Sequence, residues 1–128
     1  MNLEEYFENT KGTGVLATAD SEGKVDAAIY SRPHVFDDGT VAFVMRERLT
    51  HHNVQSNPHA AYLFIVEGPG YSGTRLFLTK IREEKDSELT EKLKRRWLTP
   101  EEDKAKGPKF LVVFNVDKVL PLIGSGSQ

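Results

Sequence analysis

The sequence predicts a mainly β fold of about six antiparallel strands with short flanking helices, closed into a small barrel. The chain has 128 residues, which fits one domain. Its apolar runs are separated by short turn sequences such as "SEGK" and "DDGT", and short turns join antiparallel neighbours. In so small a protein, closing the sheet into a barrel is the economical way to protect its edge strands.

Composition limits the possible functions. The formal net charge of −2 gives no overall attraction to nucleic acid or anionic membrane, so any anion site must be local. The chain has no cysteine, which excludes disulfides, thiolate metal sites and a cysteine nucleophile. The acidic N-terminus lacks the apolar region of a signal peptide, and no apolar run could span a bilayer. We therefore expect a cytoplasmic protein.

The first half of the chain predicts a helix followed by three strands. The helix covers residues 3–11, where Asn2 can act as the cap and Glu5 completes a capping box. The runs "TGVLATAD" and "VDAAIYSRPHVF" form a predicted hairpin, and "VAFVM" forms the third strand. Pro33 interrupts the second run, which indicates a sheet edge or a bulge.

The second half predicts three more strands and another helix. The strands are "HAAYLFIVE", "TRLFLTKIREE" and "KFLVVFNVDKVLPL". Leu89, Leu93 and Trp97 form one apolar stripe on a helix predicted for residues 86–97. The run "TPEEDKAKGP" reads as a charged linker. We assign residues 1–122 to one domain and residues 123–128 to a flexible tail.

The segment "MRERLTHHNVQSNP" predicts a short capped helix. With Thr50 as N-cap, Leu49 and Val54 take the positions of a hydrophobic staple, and Asn53 can reach back to the cap. A helix N-terminus presents unpaired N–H groups and a partial positive charge. Arg46 and Arg48 lie just before it, so the segment could hold a phosphate, which His51 could also line. The alternative is a capped connector between two strands that needs no ligand, with the two arginines solvated.

Two other patterns carry less information. The loop "GPGYSG" lacks the surroundings of a dinucleotide fingerprint or a P-loop, and is either a flexible hairpin loop or a lid. The spacing of the four histidines does not suit a metal, so we expect no metal site. No residue stands out as a general acid or base, so we name no catalytic residue.

The chain resembles the small FMN-binding split-barrel proteins related to pyridoxamine 5′-phosphate oxidase. The resemblance rests on the order of "AAIYSRPHVFDDGTVAFVM", "RERLTHHNVQSNPHAAYLF" and "GPGYSGTRLFLTK", followed by a tryptophan-bearing helix and a last strand. In that family a basic or polar segment leads into a short helix ending in Asn-Pro, here Asn57-Pro58. The resemblance implies a six-stranded antiparallel split β-barrel, a homodimer, and FMN bound at the dimer interface.

The resemblance also implies where the cofactor lies. The phosphate is expected near Arg46, Arg48, Thr50, His51 and Asn53. The isoalloxazine ring is expected along Ala28, Ile29, Tyr30, Ser31 and Arg32, against Val44 and Met45. Trp97 or the "GPGYSG" loop of the partner chain could complete the pocket.

The chain departs in two places from the family that it resembles. Leu49 stands where many relatives have a second basic residue beside the phosphate, and Arg46 could compensate for it. The C-terminal segment expected for a pyridoxal-phosphate substrate is not found, so we do not expect that reaction.

We therefore expect an FMN-binding flavoprotein that acts as an oxidoreductase or electron-transfer protein, with its electron donor unassigned. The alternative is a non-enzymatic barrel that binds a deazaflavin, a haem or single-stranded nucleic acid. The net charge of −2 and the absence of a basic stripe argue against nucleic acid.

Overall fold

A computed structural model of the chain describes residues 2–93 and 99–124. Trp97 and the tail residues 125–128 lie outside the described residues. Within them, seven strands form one antiparallel sheet with four short helices. In chain order the elements are α1 (Leu3–Asn9), β1 (Gly12–Ala19), β2 (Val25–Ile29), β3 (His34–Val35), β4 (Val41–Arg46), α2 (Leu49–Ser56), β5 (His59–Val66), β6 (Gly73–Lys85), α3 (Glu88–Leu93), α4 (Pro100–Ala105) and β7 (Lys109–Pro121).

The sheet has the order β2-β1-β5-β6-β7-β4-β3, and across the described residues no ladder joins its two edge strands. The prediction of six strands in a closed barrel was therefore wrong: the sheet has seven strands and is unclosed. The predicted second strand is two strands, because the chain leaves the ladder before Pro33, which has no N–H to donate. The two edges, β2 and β3, are nevertheless consecutive in sequence and joined only by residues 30–33.

An aromatic core fills one side of the sheet. Phe7 of α1 packs edge-to-face against Phe64, with ring centroids 5.3 Å apart. Phe43 contacts Tyr62 and Phe114 in the same cluster. Because residues of β1, β4, β5, β6 and β7 share this cluster, the sheet curls around it.

Tyr62 links this core to the connection between the edge strands. Its buried hydroxyl donates to the backbone carbonyls of Tyr30 and Ser31, both at 3.1 Å. Gly14 makes room for this contact, since a Cβ there would overlap the Tyr62 hydroxyl and approach the Tyr30 carbonyl. The Tyr30 N–H in turn donates to the Gly14 carbonyl at 3.0 Å. The backbone at Tyr30 and Ser31 is therefore held in one position.

The opposite face of β4 and β7 carries the helices α3 and α4. Leu89 and Leu93 of α3 pack against Ala42, Leu111 and Val113, as the predicted stripe requires. The predicted linker instead contains α4. None of the helices in the described part of the chain has the length and apolar character to cross a bilayer.

A complete capping box starts α4. The Glu102 N–H donates to the Thr99 hydroxyl at 3.1 Å, the Thr99 N–H donates to the Glu102 carboxylate, and Pro100 follows the cap. These residues lie within four consecutive positions, so the pattern that predicts this helix start was available without the structure.

Candidate functional site

The start of α2 differs from the prediction. Arg48, not Thr50, is the N-cap residue, and its side chain makes no cap hydrogen bond. The hydrophobic staple does not form, because Leu49 is 56% exposed while Val54 is buried in the core. Asn53 does not reach back to the cap, and its amide donates instead to the Thr18 hydroxyl at 3.0 Å.

A cleft of about 430 Å³ opens between β2, β4 and the beginning of α2, which is a size typical of small-molecule sites. It is lined by Asp26, Ala28, Ile29, Tyr30, Ser31, Arg32, His34, Phe43, Val44, Arg46, Arg48, Leu49, Thr50, Leu93 and Lys106. The cleft therefore lies beside the connection that Tyr62 fixes, where the two edges of the sheet come together.

Most of the predicted cofactor-binding residues meet in this cleft. Nine of the twelve line it, namely Ala28, Ile29, Tyr30, Ser31, Arg32, Val44, Arg46, Arg48 and Thr50. Met45, His51 and Asn53 do not line it. Met45 and Asn53 are buried, and the His51 ring stacks on Phe110 with centroids 3.8 Å apart. Met45 faces the opposite side of β4 from its neighbours because strand side chains alternate between faces.

The cleft is locally positive although the whole chain is not. The described residues contribute four cations to its lining, Arg32, Arg46, Arg48 and Lys106, and one carboxylate, Asp26. Such a balance favours an anionic ligand in a chain whose formal net charge is −2.

Two of the four cations are already engaged. Arg32 donates to the Phe7 and Thr10 carbonyls at 2.7 and 3.2 Å, at the C-terminal end of α1. Arg46 donates to the Gly107 carbonyl at 2.9 Å and forms an ion pair with the Asp103 carboxylate of α4. These two guanidiniums therefore have internal structural roles.

The other two cations are open. Arg48 is exposed, and within the described residues its side chain has no hydrogen-bond or ion-pair partner. Lys106, the C-cap residue of α4, lines the cleft and likewise has no side-chain partner in the described part of the chain. The sequence analysis missed Lys106 because it lies in the supposed linker, and no local pattern places it at the cleft.

A polar cluster lies beside Arg48. The buried Thr50 hydroxyl donates to the Asp26 carboxylate at 3.5 Å. Burial raises the pKa of the Tyr30 phenol and the nearby Asp26 charge adds to this, while a hydrogen bond with Thr50 and the charge of Arg48 oppose it. The phenol is therefore protonated at neutral pH and can donate a hydrogen bond into the cleft.

The remaining lining residues are mostly apolar, with one imidazole. Val44 and Leu93 form an apolar wall, the buried Phe43 of the aromatic core also borders the cleft, and His34 lines it as well. Sequence reasoning did not assign His34, Phe43, Leu93 or Asp26 to the site, since it treated them as ordinary strand and helix residues. Within the described residues, no three histidine, aspartate or glutamate side chains come together in a way that could hold a metal.

The "GPGYSG" loop lies away from this cleft. Tyr71 at its tip is 79% exposed, and no residue of the loop lines the cleft. Arg75, which follows the loop, donates to the Pro121 carbonyl at 2.9 Å and to the Gly124 carbonyl. Within a single chain, the loop is therefore a hairpin connection between β5 and β6 and not a lid.

Comparison with known proteins gives a family and a set of related folds. A family model described as pyridoxamine 5′-phosphate oxidase matches residues 3–122. No curated protein sequence is significantly similar to the chain. An FMN-binding protein from Syntrophomonas wolfei subsp. wolfei has a similar structure, with a TM-score of 0.76 and 18% identity over 95% of this chain and 84% of that one.

Two further structures share the fold. The heme storage protein HutZ from Vibrio cholerae has a TM-score of 0.66 and 18% identity over 94% of both chains. An F420 reductase has a TM-score of 0.63 and 19% identity over 90% of this chain and 94% of that one. At these identities the likeness concerns the fold alone.

Proposed function

The chain belongs to the pyridoxamine 5′-phosphate oxidase family, and from this we propose that it is an FMN-binding flavoprotein that acts as an oxidoreductase or electron-transfer protein. The observation that carries the proposal is the open guanidinium of Arg48, which lies at the start of α2 in a cleft whose charged lining residues are mainly cations. The similar FMN-binding protein from Syntrophomonas wolfei supports the choice of flavin.

The phosphate of FMN fits the residues at this end of the cleft. Arg48 and Lys106 are cations without side-chain partners among the described residues, and arginine binds phosphate through a planar pair of donors. The first N–H groups of α2 and the Thr50 hydroxyl lie at the same end, where the helix N-terminus favours an anion. Arg46 adds positive charge, although Asp103 already binds its guanidinium.

The rest of the cleft suits a flat ring. Val44 and Leu93 offer an apolar wall, and Ala28 leaves space beside it. The strand β2 is a sheet edge, so its outer backbone N–H and C=O groups are not used by the sheet. Bound FMN would supply the redox chemistry, while the chain binds it, orients it and sets the polarity around it.

Three of the expected cofactor-binding residues do not contact the cofactor in this proposal. Met45, His51 and Asn53 hold β4 and α2 in place from the core. No catalytic residue is assigned, and oxidation of pyridoxamine phosphate is not proposed.

We further propose that a second copy of the chain completes the site. Val25 and Ile29 of the edge strand β2 are 84% and 71% exposed, and Leu49 at the rim of the cleft is 56% exposed. Clustered exposed apolar side chains next to a cleft are typical of an interface. Analytical ultracentrifugation is expected to give twice the chain mass of 14.4 kDa, and a monomer that binds FMN fully would contradict this proposal.

Binding of FMN and riboflavin tests the proposed function. The purified chain is expected to bind FMN with a flavin absorption spectrum, and to bind riboflavin, which lacks the phosphate, at least about tenfold more weakly. Equal affinity for the two would contradict the anion site at Arg48. If neither ligand binds, the chain keeps the family fold without this cofactor.

A haem is the second candidate ligand. His34 lines the cleft, imidazole is an axial ligand of haem iron, and the similar HutZ is a heme storage protein. Titration with hemin and FMN in parallel separates the two, because a Soret shift that His34→Ala abolishes would favour haem. A deazaflavin that carries a phosphate is a further candidate ligand for the same cations, because the fold is similar to that of an F420 reductase. Titration with the deazaflavin in the same assay tests this candidate.

A further inference from the structure

Asp26 is the one carboxylate that the described residues contribute to the lining of the cleft. It lies on β2 opposite Thr18 of β1, and its side chain turns toward the cleft. Its hydrogen bond within the described residues comes from the Thr50 hydroxyl at 3.5 Å. An ionised carboxylate can accept about four hydrogen bonds, so most of its capacity remains open to a ligand.

The surroundings of Asp26 restrict what that ligand can present to it. Arg48, Thr50 and Tyr30 lie around the same end of the cleft, so the carboxylate stands next to the proposed phosphate position. A second anionic group would be repelled there at short range, whereas a hydroxyl would donate to the carboxylate. A ligand whose atoms nearest Asp26 are hydrogen-bond donors is therefore favoured.

Resting on the proposed function, we propose that Asp26 determines specificity by accepting hydrogen bonds from the hydroxyls of a phosphorylated polyol chain. The ribityl phosphate chain of FMN has this order of groups, a phosphate with hydroxyls beside it. Haem carries two carboxylates and no hydroxyl, so the same residue disfavours haem. Thr50 orients the carboxylate, because its hydroxyl donates to Asp26 from the buried first turn of α2.

The test compares three flavins on the unmodified chain and on Asp26→Asn. FMN has ring, ribityl chain and phosphate, riboflavin lacks the phosphate, and lumiflavin lacks the whole chain. In Asp26→Asn the affinities for FMN and riboflavin are expected to fall by a similar factor, about tenfold, while the affinity for lumiflavin stays unchanged. Fluorescence titration measures all three, and no turnover is needed.

Other outcomes overturn the proposal in distinct ways. Tighter binding of FMN with unchanged riboflavin would mean that Asp26 only repels the phosphate. An equal loss for lumiflavin would mean that the substitution disturbs the cleft as a whole. If the unmodified chain binds FMN but Asp26→Asn changes nothing, the inference fails while the proposed function stands; if the unmodified chain binds no flavin, both fail.

Two further variants keep the test sound. Asp37→Asn removes a carboxylate from an exposed turn that does not line the cleft, and it should change none of the three affinities. Asp26→Ser, whose side chain is too short to replace the carboxylate, should reproduce the pattern of Asp26→Asn if that variant does not fold. Thermal unfolding of each variant confirms that the affinities refer to folded protein.

Discussion

Arg46 and Arg48 lie two residues apart and line the same cleft, yet their surroundings are opposite. Arg46 is bound to the Asp103 carboxylate and to the Gly107 carbonyl, so it fastens α4 to β4. Arg48 has no side-chain partner within the described residues. Both residues are arginines, so residue type does not distinguish a cation that stabilises the fold from a cation that is free to bind a ligand. The distinction depends on which partners the fold brings to each side chain.

The same contrast exists between two carboxylates. Glu83 on β6 accepts hydrogen bonds from Lys80 at 2.6 Å and from Gln55 at 2.8 Å, and its other oxygen lies 3.2 Å from the His51 ring nitrogen. Among the described residues, Asp26 has one long hydrogen bond, from Thr50. We infer that charged groups whose hydrogen-bonding capacity is filled within the chain, such as Glu83 and Arg46, stabilise the fold. Charged groups with unused capacity, such as Asp26 and Arg48, form the site.

The largest effect on stability is expected at Lys109, the most buried of the engaged cations. Its side chain is 4% exposed, lies 2.6 Å from the Asp103 carboxylate and also pairs with Glu91. Burial lowers the pKa of Lys109 and the charge of Arg46 acts in the same direction, while Asp86 opposes them. Lys109→Met should lower the free energy of unfolding by about 3 kcal/mol, because Asp103 loses one of two cations.

Urea unfolding measures this loss, and Lys104→Met is the matched control. Lys104 is an exposed lysine of α4, so its substitution should change stability by less than about 0.5 kcal/mol. Equal stability of the two variants would show that the network around Asp103 does not hold α4 in place.

Acidification is expected to have the next largest effect, through Glu83. Burial alone would raise the pKa of Glu83, but hydrogen bonds from Lys80, Gln55 and His51 outweigh it and lower that pKa to about 2. A lowered carboxylate pKa contributes stability above the unfolded-state pKa, and this stability is lost as the pH falls toward the folded-state pKa. The full contribution is about 3 kcal/mol, of which about 2 kcal/mol should disappear between about pH 6 and about pH 3.

Comparing the unmodified chain with Glu83→Gln separates the acid sensitivity caused by Glu83 from that caused by the other carboxylates. Urea unfolding of both proteins at the two pH values gives the difference in acid sensitivity. The variant should be less stable at the higher pH and should lose about 2 kcal/mol less on acidification. The same acid sensitivity in both would mean that the Glu83 carboxylate is not stabilised by its neighbours.

Much of the fold could be predicted because it depends on local patterns. The β1–β2 hairpin follows from alternating runs around a turn, and the packing of Leu89 and Leu93 follows from helical spacing. The start of α4 was also encoded locally, by Thr99, Pro100 and Glu102. The predicted number of strands was wrong because the chain forms one strand before Pro33 and a separate short strand after it.

The site was less predictable because it depends on contacts between distant residues. The partner of Arg46 is Asp103, which lies 57 residues further along the chain. The spacing of apolar residues along a strand or helix does not reveal an ion pair between distant residues. The sequence alone could therefore not show that Arg46 has a structural partner and that Arg48 has none within the described residues. Likewise, Lys106 reaches the cleft only because α4 is fastened there. That the cleft residues bind FMN stays a prediction.

Removing the open guanidinium should weaken cofactor binding without weakening the fold. Arg48→Ala should lower the affinity for FMN by about 1.5–3 kcal/mol, which is the range for a hydrogen bond to a charged group. Stability should change by less than about 0.5 kcal/mol, because the Arg48 side chain makes no cap hydrogen bond. Arg82→Ala is the control, since Arg82 is half-exposed, pairs with Glu84 and does not line the cleft.

Fluorescence titration with FMN and riboflavin measures this effect. The loss in Arg48→Ala should appear with FMN and be absent with riboflavin, because the guanidinium is proposed to bind the phosphate. An unchanged affinity for FMN would place the phosphate elsewhere and remove the distinction between Arg46 and Arg48 on which the proposed site depends.

The smallest effect is expected at Lys106, the other open cation in the lining of the cleft. It is partly exposed, so water screens its charge and its contribution to phosphate binding should be about 0.5–1 kcal/mol. Lys106→Gln should therefore weaken FMN binding by about twofold to fivefold and leave riboflavin binding unchanged. Lys104→Gln, two residues earlier on the same helix and exposed, should change neither affinity. If both substitutions weaken FMN binding equally, the effect comes from the overall charge of the chain, and α4 contributes no specific contact to the site.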